Sequence, residues 1–224
     1  MASLTRSALR QAAQQNLGIK DRDSDFNRWI DQGLKRIASD HDFKALKASE
    51  SSTMTASAGT SISFPSNYKA MRSFVIQSDS GYNVDEIDEE QFDEFFPYPS
   101  NDSEGVPVFL IARSNTAYDL YPVPDDNYPY IMRYSKWPTA LSADTASHPY
   151  PEYMDALVEA AVTLTAFESY QQNQDIVIWE AKYRTLLSAA IKNDTAAPTR
   201  RRTMGRFQIK QALPSEYWLR PDVR

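Results

Sequence analysis

Apolar positions along the chain change their spacing twice. From about Ser3 to Leu17, Ala, Gln, Leu and Arg dominate, with Leu4, Ala8 and Ala12 on one thin apolar face. This predicts a helix that Gly18 stops. Phe26, Trp29, Ile30, Leu34 and Ile37 then recur at helical spacing, with Asp23 or Ser24 as the cap, and predict a stronger second helix. Phe43 and Leu46 continue the hydrophobic segment.

Past Ser49 the period shortens. Thr53-Met-Thr55 and Ser61–Phe64 read as a hairpin turning near Ala58-Gly59 or, since small polar residues bury little apolar area, as a mobile loop, and Arg72–Gln77 and Asn83–Ile87 read as strands. Asp88-Glu-Glu-Gln91 has capping-box spacing ahead of a short helix carrying Phe92, Phe95 and Phe96. Three runs follow, Gly105–Arg113, Tyr118–Asp125 and Tyr128–Tyr134, rich in β-branched and aromatic residues and punctuated by Pro122, Pro124 and Pro129. In the last run Tyr130, Met132 and Tyr134 share one strand face, with Ile131 and Arg133 on the other.

Helical spacing returns at Tyr153, Ala156, Leu157, Ala160, Ala161, Leu164 and Phe167, and again at Ile176, Trp179, Tyr183, Leu186, Leu187 and Ala190. These predict helices over Glu152–Tyr170 and Asp175–Lys192, joined by a short link as a helical hairpin. After Asn193 the periodicity stops, and Pro198, Pro214 and Pro221 punctuate an extended tail that needs a partner to order it.

The order helices, strands, helices predicts an α+β fold. The expected architecture is an antiparallel helical bundle built from the N- and C-terminal helices, with an inserted small antiparallel β domain and an extended C-terminal tail. The expected boundaries are 1–48 and 151–193 for the bundle, 49–150 for the β insertion and 194–224 for the tail.

Composition narrows the function. The 224 residues include no cysteine, which removes disulfides, thiolate nucleophiles and cysteine metal sites. Met1-Ala-Ser-Leu-Thr-Arg6 lacks the apolar core of a secretion signal, and no apolar run reaches the ~20 residues that cross a membrane. No membrane is therefore expected as a partner. The net charge of −6 argues against bulk affinity for nucleic acid, but it is unevenly placed. Residues 195–224 hold seven basic and two acidic side chains, so this segment carries +5 and the preceding 194 residues −11. An acidic body with a basic tail implies that the tail contacts something acidic.

Candidate chemistry is sparse. His41 and His148 are the only histidines, each expected to be structural. Glu159 and Glu168 lie nine positions apart on one helix and make no acid–base pair. There is no phosphate-binding glycine loop, nucleophile elbow or zinc-protease helix. No catalytic residue, metal site or cofactor is expected, and the chain reads as a non-enzyme. Asp79–Glu104 holds ten acidic residues and no Lys or Arg, and Asp85, Glu86, Asp88, Glu89 and Glu90 within it are candidates for a surface facing a DNA passage or a neighbouring copy. In the tail, Arg200, Arg201, Arg202, Arg206, Phe207, Lys210, Tyr217, Trp218 and Arg220 interleave cations with aromatics. Arg and aromatic residues are the usual anchors of protein interfaces, which favours protein docking over DNA binding.

Phe64-Pro-Ser-Asn-Tyr68, then Gly105-Val-Pro107 followed by Val-Phe-Leu-Ile-Ala112, then Leu120-Tyr-Pro-Val-Pro-Asp125, then Tyr134-Ser-Lys-Trp-Pro138 with Leu141-Ser142, form a succession between helical ends. In order and spacing it resembles the head-to-tail adaptor proteins of tailed bacteriophages, over roughly Leu4 to Asn193. The resemblance implies a structural virion protein at the head–tail junction, assembled in the host cytoplasm as a ring, commonly of twelve copies, beneath the portal. It further implies that the ring extends the channel for double-stranded DNA without reading its sequence. It implies a docking face for tail or nozzle proteins, and a C-terminal extension that grips the portal. The family supplies no catalytic residue to carry over. The alternatives are a DNA-binding accessory factor using the basic tail, and a stopper or tail-tube protein one layer lower.

Overall fold

A computed structural model describes residues 3–19, 22–56, 61–77, 81–96, 104–170 and 173–195. The class is α+β. Helix α1 spans Arg6–Leu17 and α2 Asp23–Asp40; α4 (Asp155–Tyr170) and α5 (Asn173–Thr195) follow the strands. Between them lie β1 (Lys47–Met54), β2 (Ser61–Ser63), β3 (Tyr68–Ile76), β4 (Tyr82–Ile87), the short helix α3 (Glu89–Phe95), β5 (Phe109–Ile111), β6 (Ala117–Tyr121) and β7 (Tyr128–Lys136).

The long helices gather on α4, which contacts α1, α2 and α5. Thr5 caps α1 by accepting the Ala8 N–H at 3.3 Å, and Gly18 ends it with φ 67°, the left-handed turn that its missing Cβ allows. The buried face of α1 is Leu9 and Ala13, one position round from the expected Leu4, Ala8 and Ala12, which are only half covered. The stripe on α2 is as expected: Phe26, Trp29, Ile30, Leu34 and Ile37 are all buried. Its expected side-chain cap does not form. Arg22 holds the cap position, and Asp23 and Asp25 lie in the first turn, where the helix dipole favours carboxylates.

Helix α4 differs from its one-faced expectation. Val158, Val162, Thr163 and Ala166 are buried together with Leu157, Ala160, Ala161, Leu164 and Phe167, while Ala156 and Tyr153 are exposed. A helix with neighbours on several sides is apolar nearly all round. Gly33 of α2 sits against it, and a Cβ there would stand 3.0 Å from the backbone of Val162. Buried phenols tie the layers together. Tyr150 donates to the Leu34 carbonyl at 2.8 Å and Tyr183 of α5 to Asp40 at 2.6 Å.

The sheet is larger than the small insertion expected, and it is mixed. Its seven strands run in the order β1-β7-β3-β4-β5-β6-β2, and β4 with β5 is a parallel pair. That pair follows from the connection, because α3 lies between the two strands as a crossover. The expected Thr53–Phe64 hairpin is absent: β1 pairs with β7 and β2 with β6. Asp88 flanks α3 without a side-chain cap. The face predicted for β7 is correct, since Tyr130, Met132 and Tyr134 are buried and Arg133 is exposed. They join Phe74, Ile76, Val84, Leu110, Tyr118 and Leu120 in a second apolar cluster, separate from the helical one.

Candidate functional site

Curvature of the sheet creates a groove. Tyr68 on β3 and Tyr118 on β6 meet with hydroxyls 2.8 Å apart, although β4 and β5 lie between those strands. Phe64 completes the corner. Its N–H donates to the Thr116 carbonyl at 2.7 Å, and its ring stacks on Tyr68 with centroids 4.2 Å apart and meets Tyr118 edge-on at 4.7 Å. The Tyr118 hydroxyl donates to Glu86 of β4 at 2.8 Å. Burial first, then the hydrogen bonds with Tyr68 and Glu86, raise the Tyr118 phenol well above its ordinary range. The hydroxyl therefore stays protonated and serves as a donor. These residues, with Lys69 and Asn115, line a cavity of about 460 Å³. Lys69 directs its ammonium elsewhere, to Asp42 at 2.6 Å and to the Ala38 carbonyl, so Glu86 is the charged group left facing the groove among the described residues.

The structure divides the other candidate acidic residues. Asp85 and Glu86 are neighbours on a strand and so point to opposite faces. Asp88 precedes α3, and Glu89 and Glu90 occupy its first turn. Arg113 collects part of this charge: it lies 3.5 Å from Glu89, 3.6 Å from Asp93 and 3.8 Å from Asp119, over the Phe92 ring. Sequence spacing did not single out Arg113, because its three carboxylates come from α3 and β6. Beside this acidic region Phe95 is 67% exposed, and Val106 and Val108 are also exposed. A second exposed apolar pair, Val177 and Ile178, stands at the start of α5.

The tail candidates, Arg200, Arg201, Arg202, Arg206, Phe207, Lys210, Tyr217, Trp218 and Arg220, lie outside the described residues. Their point of departure is fixed. Asp194, in the last turn of α5 and nearly buried, accepts the Lys44 N–H at 3.1 Å and stands 3.5 Å from His41 Nε2, and the Lys44 ammonium reaches the Asp194 carbonyl.

His148 is 3% exposed, with Nε2 2.9 Å from Asp155. Burial lowers its pKa, and the Asp155 charge only partly opposes this. The unfolded chain therefore binds a proton that the native state resists, and stability falls as pH drops below about 6.5. The expected outcome is a falling urea midpoint from pH 7 to 5 that is shallower in His148→Gln, with a slope difference of at most about 1.4 kcal/mol per pH unit. Parallel pH curves for the two proteins would refute it.

Among the described residues, none of this assembles a nucleophile with a base. A family model described as SU10 adaptor protein matches residues 4–204. The chain belongs to that family, and it is a bacteriophage structural adaptor that works among other virion components. No curated individual protein matches it. The match spans both apolar clusters and runs into the arginine-rich segment.

Proposed function

We propose that this protein is a head-to-tail adaptor that assembles as a ring, of twelve copies, beneath the portal. The ring extends the DNA channel and presents a docking face to tail or nozzle proteins. Arg200, Arg201, Arg202, Arg206, Phe207, Lys210, Tyr217, Trp218 and Arg220 grip the portal, while Asp85, Glu86, Asp88, Glu89 and Glu90 face the channel or a neighbouring copy. Like charge keeps passing DNA from adhering to such a wall. The reading rests on the match to the SU10 adaptor protein family over residues 4–204. The exposed Phe95, Val177 and Ile178 support it as surfaces that a neighbour would cover. Negative-stain imaging of the purified protein with portal rings of the same phage tests it. The expected result is an added ring coaxial with the portal around an open channel. Portal rings that remain bare at saturating protein would overturn it.

A further inference from the structure

The groove between β3, β4 and β6 has the chemistry of a guanidinium receptor. Phe64, Tyr68 and Tyr118 supply aromatic walls, and Glu86 supplies a carboxylate held by the Tyr118 hydroxyl. Aromatic faces attract cations, and the planar Arg head group both stacks on rings and bonds carboxylates. No Lys or Arg among the described residues pairs with Glu86. The nearest cation lining the groove, Lys69, is engaged by Asp42 and Ala38.

One occupant fits in charge and in reach. Residues 196–224 continue from α5 and contain Arg200-Arg-Arg202 within a segment of net positive charge. The chain leaves α5 at Asp194, which is bonded to Lys44, and the groove's Lys69 is bonded to Asp42. Exit and strand β3, which borders the groove, are thus both tied to one short stretch of chain, residues 38–44. Arg200 is six positions beyond Asp194, a span of up to about 20 Å when extended.

We propose that this groove is the docking site of the chain's own basic C-terminal segment, with a guanidinium of Arg200–Arg202 seated among Phe64, Tyr68 and Tyr118 and paired with Glu86. The proposal rests on charge and ring geometry, and it describes the free protein: the segment leaves the groove when its arginines engage the portal.

The absence of native cysteine makes the test direct. Spin labels are placed at Thr203→Cys and at the exposed Asn83→Cys of β4 in the full chain, with Asn115→Cys as a second reporter. Pulsed electron paramagnetic resonance should show a short-distance population that survives dilution with unlabelled protein. Glu86→Gln should shrink it about threefold, as should salt near 0.5 M. Circular dichroism of Glu86→Gln verifies the fold, since the residue is exposed. A distance distribution that neither change moves would overturn the proposal. So would short distances arising only between singly labelled chains, which would assign the groove to a second copy. No portal is present in this experiment, so its failure leaves the portal reading standing.

Discussion

Deletion of Thr195–Arg224 should leave a folded protein that no longer binds portal rings. Among the described residues, the buried members of both apolar clusters lie between Leu9 and Ala190, so truncation removes none of these. Asp194 and its bonds to Lys44 also remain. The circular dichroism spectrum and the thermal midpoint should therefore match the full chain within a few degrees. What is lost is a segment of net +5 that carries Phe207, Tyr217 and Trp218. Aromatic and Arg anchors each cost about 2 kcal/mol or more when removed from a well-packed interface. Repetition around a ring multiplies modest contacts into high avidity, so apparent affinity for the portal should drop at least about 100-fold. Co-sedimentation with portal rings measures this. Undiminished binding by the truncated chain would show that the grip lies in the body. Binding to duplex DNA that weakens steeply with salt and vanishes with Arg200–Arg202 would instead favour a nucleic-acid role.

Gly33→Leu should lower stability by about 2–3 kcal/mol and the thermal midpoint by roughly 4–12 °C. Glycine in a helix interior ordinarily costs about 1 kcal/mol relative to alanine, so a substitution on an exposed face would stabilise. Here the sign reverses. A Cβ at residue 33 would meet the Cα and N of Val162 at 3.0 Å, and backbone atoms inside a buried helix cannot swing aside. The α2–α4 crossing must open, and both helices carry much of the helical core. Denaturant titration of Gly33→Leu beside Gly18→Ala separates the two glycine roles. Gly18 has nothing within 4 Å of a Cβ, so strain there comes only from φ 67°. A Gly33→Leu protein as stable as the parent would mean that the helices cross with slack.

The sheet shows why the two levels of reading differ. Most β segments carry apolar or aromatic runs that announce strands, and the buried face of β7 follows from period-two spacing alone, whereas the polar run Lys47–Ser52 of β1 gives no such signal. Partnership is another matter. Residues 53–64 look like a hairpin because small polar residues flank a glycine, yet β1 adds to β7 and β2 to β6. The pairing is set by which apolar face each strand can bury, not by the turn between them. The groove followed the same logic. Glu86 stood out as one acid in an acidic run, but its partner Tyr118 lies 32 positions away, and Tyr68 lies 50 from Tyr118. No spacing rule joins residues so far apart.

The α+β class, the stripe of α2, the stop at Gly18, the absence of cysteine chemistry and the split between an acidic body and a basic tail can all be read from the order of residues. Each of these is a local property: a period, a turn residue or a sum of charges. The strand order, the burial of α4 on several sides and the reason for Gly33 emerge once the chain is folded. The tertiary structure also brought Phe64, Tyr68, Glu86 and Tyr118 to one groove. These depend on long-range contacts, whose choice rests on the burial of whole faces rather than on any neighbouring residue.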